Sequence, residues 1–231
     1  MEERKVAAII PAYNEENTIS AVISTLVASG RFEEIVVISD GSTDDTAKVA
    51  RIAGATLVHE LPWKHGKGAA MGHGVAHTDS PILCFFDADL KGLTVSHIHS
   101  ILDPVVNGEM YMHIGLREHS AFWTILAKYL PMIGGERAMR REIFEAIPNS
   151  FLAGFKVESS LNYFCRVNSL SYGVVVLPGL SIVRKMEKVG VIRGLIEYIK
   201  MWYQIFSVMI QVRVARRRFK ERGTHMSHKH H

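Results

Sequence analysis

Residues 81–90, Pro81-Ile82-Leu83-Cys84-Phe85-Phe86-Asp87-Ala88-Asp89-Leu90, decide how this chain folds. An apolar run ends abruptly in two carboxylates separated by one small residue. A short apolar run bounded by proline predicts a strand buried on both faces. Such a strand stops where the core stops, so Asp87 and Asp89 are expected at its carboxyl end, facing a crevice. Residues two apart in an extended chain point the same way, which lets both carboxylates converge on one cation. Hard oxygen ligands suit Mg²⁺ or Mn²⁺, which keep water and substrate phosphates in their remaining positions. The bland alternative is a strand-to-loop junction carrying two solvated acids, and a pattern this short does not exclude it.

The segments before this run repeat its logic. Val6–Ile10 reads as a strand, and Glu15–Ala28 as an amphipathic helix with Ile19, Val22, Ile23, Leu26 and Val27 on one face. Ile35–Ser39 is a second strand, Thr43–Ala53 a helix, Thr56–Leu61 a third strand and Lys67–His77 a helix; Ile82–Phe86 is the fourth strand. Strands alternating with helical patterns predict an α/β fold with a mostly parallel sheet flanked by helices. Ligands of such sheets bind outside the carboxyl ends of the strands. The regular alternation fades near residues 107–120. Beyond it the sequence predicts mixed helices, one more strand at Val174–Leu177 and a long C-terminal helix.

The bulk properties bound the rest. A chain of 231 residues, 48% apolar, buries a full core as one domain. Two cysteines, Cys84 and Cys165, make no disulfide framework, which points to a reducing compartment. The chain opens Met-Glu-Glu-Arg-Lys and enters a strand at once, so no secretory leader is expected. A formal charge of +4 is mildly basic and gives no argument for nucleic acid. Four of the twelve histidines lie in residues 221–231, which read as a tag remnant or disordered tail rather than a metal site.

Polar clusters fall at the predicted strand ends. After the first strand comes Pro11-Ala12-Tyr13-Asn14-Glu15-Glu16. Tyr13 offers a flat face to a base, Glu15 a carboxylate for hydroxyls or amide protons, and Asn14 a helix cap. After the second comes Asp40-Gly41-Ser42-Thr43-Asp44-Asp45. Capping explains Ser42, Thr43, Asp44 and Asp45. It does not explain Asp40, which could accept an N–H from a uracil or guanine ring. His65-Gly66-Lys67-Gly68 opens the third helix, where glycines let backbone N–H groups approach an anion and Lys67 adds charge. The loop lacks the spacing of a nucleoside-triphosphate loop and fails the dinucleotide pattern.

These motifs in this order resemble the family 2 glycosyltransferases of the GT-A fold, a Rossmann-like nucleotide-diphospho-sugar transferase architecture, over roughly residues 6–160. The resemblance implies a nucleotide-sugar donor bound by Pro11, Ala12, Tyr13, Asn14, Glu15, Asp40, Gly41, Ser42, Lys67, Asp87, Ala88 and Asp89. Within that set, Lys67 would meet the diphosphate, Asp87 ribose or metal-bound water, and Asp89 the metal directly. The second half is similar to a narrower group. Gly134-Gly135-Glu136-Arg137-Ala138-Met139-Arg140-Arg141 looks like the acceptor motif of polyprenyl-phosphate sugar transferases. Gly154-Phe155-Lys156-Val157-Glu158, with Gly92 and Leu93, looks like glucosyl-3-phosphoglycerate synthases. Glu158 near a helix start could orient an acceptor or sugar hydroxyl. Its bland reading is an acid favoured by the helix dipole. Arg137, and after it Arg140 and Arg141, could bind an acceptor phosphate, although arginines on a helix face are usually solvated. Related sequences often carry a histidine metal ligand in the stretch here written 181–190, but no histidine stands between His119 and the tail. Arg184 and Lys185 remain candidate partners for the leaving diphosphate.

The expectation is therefore one GT-A domain over 1–220, with a donor half at 6–106, an acceptor half at 107–190 and an apolar helix with a basic end at 191–220. That last segment fits peripheral membrane contact and equally a homodimer or core helix; its charges interrupt any bilayer-spanning window. The expected activity is Mg²⁺- or Mn²⁺-dependent hexosyl transfer in the cytoplasm, possible also at the inner membrane surface. UDP-glucose is the first donor and GDP-mannose the second. The acceptor is a small phosphorylated molecule or a polyprenyl phosphate, with Glu158, Arg137 and Glu136 as candidate catalytic groups. A non-catalytic nucleotide-sugar sensor and a nucleotidyltransferase are the alternatives.

Overall fold

The computed structural model describes residues 5–117, 135–152, 156–182 and 221–222. Strands and helices first alternate strictly: β1 (Val6–Ala12), α1 (Ile19–Ser29), β2 (Glu34–Asp40), α2 (Thr46–Ile52), β3 (Leu57–Leu61), α3 (Lys67–Ala76) and β4 (Ile82–Phe85). There follow β5 (Leu90–Lys91), α4 (Val95–Val106), β6 (Met112–Arg117), β7 (Arg137–Arg140) and α5 (Arg141–Glu145). A 3₁₀ turn at Asn149–Phe151, α6 (Lys156–Val167), β8 (Tyr172–Leu177) and β9 (Ser181–Ile182) complete the described order.

Seven strands form one sheet in the order β3-β2-β1-β4-β7-β6-β8. β1 to β4 run parallel to one another, β6 runs parallel to β8, and β7 is antiparallel to both strands beside it, β4 and β6. The period of two along each strand feeds two separate cores. Ala7, Ile9, Leu83 and Phe85 face α3, α5 and α6, whereas Val6, Ala8, Ile10, Cys84 and Phe86 face α1 and α4. A one-residue slip would exchange the two sets, but both sets are apolar, so register rests on shape. Gly74 supplies one such fit: a Cβ there would lie 2.3 Å from Ile9 Cγ2, so α3 seats on β1 only with hydrogen at that position.

Three expectations change. The helix expected from Glu15 begins at Ile19, and Val27 is 51% exposed, off the buried face that Ile19, Val22, Ile23 and Leu26 form. The second half contains β6 and β7 where the sequence predicted mixed helices, so Arg137 and Arg140 stand on a strand. β7 is short and its Arg-Ala-Met-Arg pattern carries no β-branched residue, which hides it from propensity. The C-terminal helix expected at 191–220 lies outside the described residues. Among the described residues no helix is long and apolar enough to cross a membrane.

Candidate functional site

The loops leaving β1 and β2 are laced into one unit. Asn14 N donates to Ser42 Oγ at 3.1 Å, and Asn14 Oδ1 accepts from Thr43 N at 2.9 Å. Glu15 N donates to Thr46 Oγ1 at 2.8 Å, and Glu16 Oε2 accepts from Asp45 N at 3.0 Å. Asn14 takes φ +55° to make this double contact, a left-handed conformation that asparagine tolerates better than most residues. Of the capping roles expected here, Asp44 keeps one, its Oδ1 accepting at 3.0 Å from Thr46 N, the first residue of α2. Ser42 and Thr43 bond to Asn14 instead, and the N-cap, Asp45, makes no side-chain cap bond. Tyr13 is half-buried, and the Lys64 ammonium sits 3.7 Å above its ring.

Asp40 is 3% exposed at the end of β2. Its Oδ1 accepts from His65 N and its Oδ2 from Gly66 N, both at 2.7 Å. The acid expected to meet a base therefore also pins the loop that opens α3. Gly41 permits the close approach: its φ is +70°, and a Cβ would lie 2.5 Å from the Trp63 carbonyl carbon. Pro11 and Ala12 end β1 beside Ile38 and Ser39 of β2, so the two loops leave the sheet side by side.

Around the end of β4 the chemistry turns ionic. Lys67, first residue of α3, places Nζ 2.7 Å from Asp87 Oδ1 and 2.9 Å from Glu158 Oε1. Arg117, last residue of β6, places Nη2 2.6 Å from Asp87 Oδ2 and 2.7 Å from Glu136 Oε1. Both oxygens of Asp87 are thus held by cations. Burial alone would raise its pKa, but Lys67 and then Arg117 override it and hold the carboxyl below the usual range. Burial would likewise discharge Lys67, yet Asp87 and Glu158 push its pKa well above the ordinary lysine value. Gly135 closes on the same group: a Cβ there would lie 2.6 Å from Asp87 Oδ2.

Asp89 is held differently. It is half-buried, and no basic side chain forms an ion pair with it among the described residues. Its pKa is raised by burial, then by Asp87 and Glu15, with Arg117 only partly offsetting them. A half-buried carboxylate under net repulsion is the kind of group a cation stabilises. No three His, Cys, Asp or Glu side chains among the described residues gather as a metal-binding set, so a cation at Asp89 would draw its further ligands from outside them, substrate phosphates and water included. The two carboxylates are therefore not equivalent in the way their spacing predicted. Ala88 between them is buried. β5 and β9 pair Leu90 with Ile182 and so bring the chain leaving β8 beside Asp89. Arg184 and Lys185, just beyond that pairing, lie outside the described residues.

The remaining second-half candidates separate. Glu136 is fully buried, with burial and then Asp87 raising its pKa against Arg117; its Oε2 has no hydrogen-bond partner. Arg137 is also fully buried, its Nη1 donating to Glu158 O at 3.4 Å and Asn162 Oδ1 at 3.3 Å across α6. Burial lowers its pKa, with Glu158 and Glu136 opposing. Glu158, the third residue of α6, is 7% exposed and faces Lys67. Arg140 and Arg141 are elsewhere. Because β7 is antiparallel, Arg137 pairs with Phe85 at the site end of β4 while Arg140 pairs with Ile82 at the opposite end. Arg140 covers the Tyr111 ring at 4.1 Å, and Arg141 donates to the carbonyls of Ser80, Val75 and Thr78. Neither reaches the site. Arg117, which no motif indicated, was legible as a charge ending the apolar run 112–116, the same signal that marked Asp87.

Residues 7–109 match the family model of glycosyl transferase family 2. Glucosyl-3-phosphoglycerate synthase of Mycobacterium tuberculosis is 34% identical over 114 residues, 46% of this chain and 35% of that protein. A 4,4'-diaponeurosporenoate glycosyltransferase of Staphylococcus aureus is 33% identical over 105 residues, 43% of this chain and 28% of that protein. The chain thus spans about a third of the length of the curated relatives it matches. A crystal structure of the M. tuberculosis synthase with Mn²⁺, UDP and phosphoglyceric acid superposes with TM-score 0.73 at 26% identity, covering 90% of this chain and 78% of that one. The architecture is the mostly parallel, helix-flanked GT-A sheet of that structure.

Proposed function

We propose that this chain, which carries a glycosyl transferase family 2 domain over residues 7–109, transfers a hexose from a nucleoside-diphosphate sugar to a small phosphorylated acceptor. The observation that carries the reading is the asymmetry at the end of β4: Asp87 saturated by Lys67 and Arg117, and Asp89 beside it with no basic partner among the described residues. Asp89 would hold Mg²⁺ or Mn²⁺, and the cation when bound neutralises charge developing on the leaving diphosphate. UDP-glucose is the first donor and a phosphoglycerate the first acceptor, on the strength of the Mycobacterium synthase. GDP-mannose and a polyprenyl phosphate come second.

The chain's own residues divide the work. The laced loops 11–16 and 40–46 form the base and ribose side, with Tyr13 supplying a ring face and Glu15 a carboxylate. Lys67, at a helix N-terminus, is placed to exchange a carboxylate for a phosphate oxygen. Glu158 faces the same ammonium and would orient it, or a sugar hydroxyl, once the donor is in place. Glu136 and Arg137, without exposed surface, act as positioning residues rather than as groups touching substrate. No carboxylate is assigned as the base: a polyprenyl phosphate would attack through an oxygen already ionised and need none. A phosphoglycerate attacking through its hydroxyl would instead give up a proton, which an oxygen of the departing diphosphate can take. The two buried thiols, Cys84 and Cys165, fit a reducing compartment.

The test is release of UDP from UDP-glucose with Mn²⁺ or Mg²⁺, over 3-phosphoglycerate, glycerate and short polyprenyl phosphates. Asp89→Ala is expected to lower turnover by about a hundredfold or more, the scale of losing one electrostatic stabiliser. Undiminished activity in that variant would remove the metal role. UDP binding with no turnover on any acceptor would turn the reading to a sensor.

A further inference from the structure

Arg117 stands outside every motif, yet one of its nitrogens bridges two carboxylates, Asp87 Oδ2 at 2.6 Å and Glu136 Oε1 at 2.7 Å. Its side chain is 17% exposed and reaches the site from β6, three strands from β1. Glu136 has no exposed surface, and its second oxygen has no hydrogen-bond partner among the described residues. Its geometry is that of a fixed anchor for the guanidinium rather than of a group awaiting substrate. Gly135, preceding Glu136, leaves room for the Asp87 carboxylate only because it has no Cβ. Arg117 at the end of β6 and Gly135 in the segment before β7 thus converge on one oxygen of one aspartate, with Glu136 holding the guanidinium from behind.

We infer that Arg117 is a positioning residue that holds Asp87 away from the cation and balances its charge, leaving Asp89 as the protein's direct ligand. The inference rests on the nucleotide-sugar reading above and adds to it the reason the two aspartates differ. With Arg117 present, Asp87 is already paired on both oxygens, and an incoming divalent ion meets one carboxylate. Without it, Asp87 Oδ2 is released beside Asp89, and the pair becomes a stronger but misarranged cation site.

The prediction has a sign that general damage to the site would not produce. Arg117→Met is expected to bind Mn²⁺ alone more tightly than wild type, by about tenfold from the lost unit charge. The same variant should bind UDP more weakly in the presence of Mn²⁺, and turn over more slowly. Mn²⁺ binding is read from the free-ion electron paramagnetic resonance signal, UDP binding by calorimetry, and folding by circular dichroism. Arg117→Lys, which keeps a cation that can bridge, should return Mn²⁺ affinity to within about threefold of wild type. Gly135→Ala supplies a second route, since its Cβ displaces Asp87 from an intact Arg117; its Mn²⁺ affinity should rise in the same direction. A folded Arg117→Met with unchanged or weakened Mn²⁺ affinity overturns the inference. Should that variant fail to fold, an unchanged affinity in Gly135→Ala does so. Wild type that binds no UDP with Mn²⁺ would instead overturn the nucleotide-sugar reading itself.

Discussion

From β1 to β3 the loops over the sheet are tied by hydrogen bonds that backbone N–H groups donate to short side chains. From β4 across β7 to β6 and α6, the site is held by ion pairs among Lys67, Asp87, Arg117, Glu136 and Glu158. The first arrangement holds without a ligand: the N–H groups of Asn14, Glu15, Glu16, Thr43, Asp45, His65 and Gly66 already have side-chain acceptors, so the surface is preformed. The second is a set of charges whose partners a diphosphate would have to share. A donor can therefore bind the first region with little rearrangement, whereas the second must redistribute its pairs. Under the proposed function, specificity for the base would belong to the hydrogen-bonded side and response to the phosphates to the ionic side.

The largest effect expected on this contrast comes from Lys67→Met. It leaves Asp87 and Glu158 facing each other with one cation fewer, and breaking a mostly buried pair from one side costs about 3 kcal/mol. Urea denaturation should show that loss, and UDP affinity should fall with it. Stability equal to wild type would mean that the charges on this side are screened by water, and the contrast would fail. On the other side, Asp40→Asn keeps size and one acceptor but sets an amide N–H against a backbone N–H. The expected cost is about 1–2 kcal/mol, confined to the loop. Hydrogen exchange at His65 and Gly66 should accelerate while the amides of β4 stay protected. Acceleration that spreads to β4 would show that the two regions are coupled rather than separate.

This division also explains what the sequence could disclose. The parallel half was readable because β1, β2 and β4 are largely apolar runs and residues of known turn chemistry, Pro11, Gly41 and Gly66, mark where the chain leaves a strand or enters a helix. The identities at those ends carry their roles, although not their partners, since Asp40 bonding to His65 and Gly66 spans loops that only the sheet brings together. The ionic half was harder to read. Arg137 in a helix-like sequence context is a strand residue because β4 and β6 recruit it into the sheet, a tertiary choice that propensity does not encode. Antiparallel pairing then sends Arg137 and Arg140 to opposite ends of that strand. Arg117 is the opposite case: its charge closing the stretch 112–116 is visible in the sequence, but its partners Asp87 and Glu136 are brought to it only by the sheet.

The smallest predicted effect lies on the outer rim of the preformed side. His59 on β3 stands 4.5 Å from His77, the C-cap of α3, and 6.2 Å from His73 on that helix, ring centre to ring centre; the Arg51–Glu60 pair flanks it. Burial, then His77 and His73, lowers the pKa of His59 below its ordinary value of 6.5. The folded chain thus holds this proton less tightly than the unfolded chain, so acid favours unfolding. The His59 contribution is intact above pH 6.5 and is lost progressively as pH falls below that value. Between pH 7.5 and 5.5 the melting temperature of wild type should drop more than that of His59→Gln, by about 1–2 °C. Lys67 and Arg117, charged throughout that range, contribute nothing to the difference. An equal drop in both proteins would move the acid sensitivity from the imidazoles of the rim to the carboxylates of the ionic side.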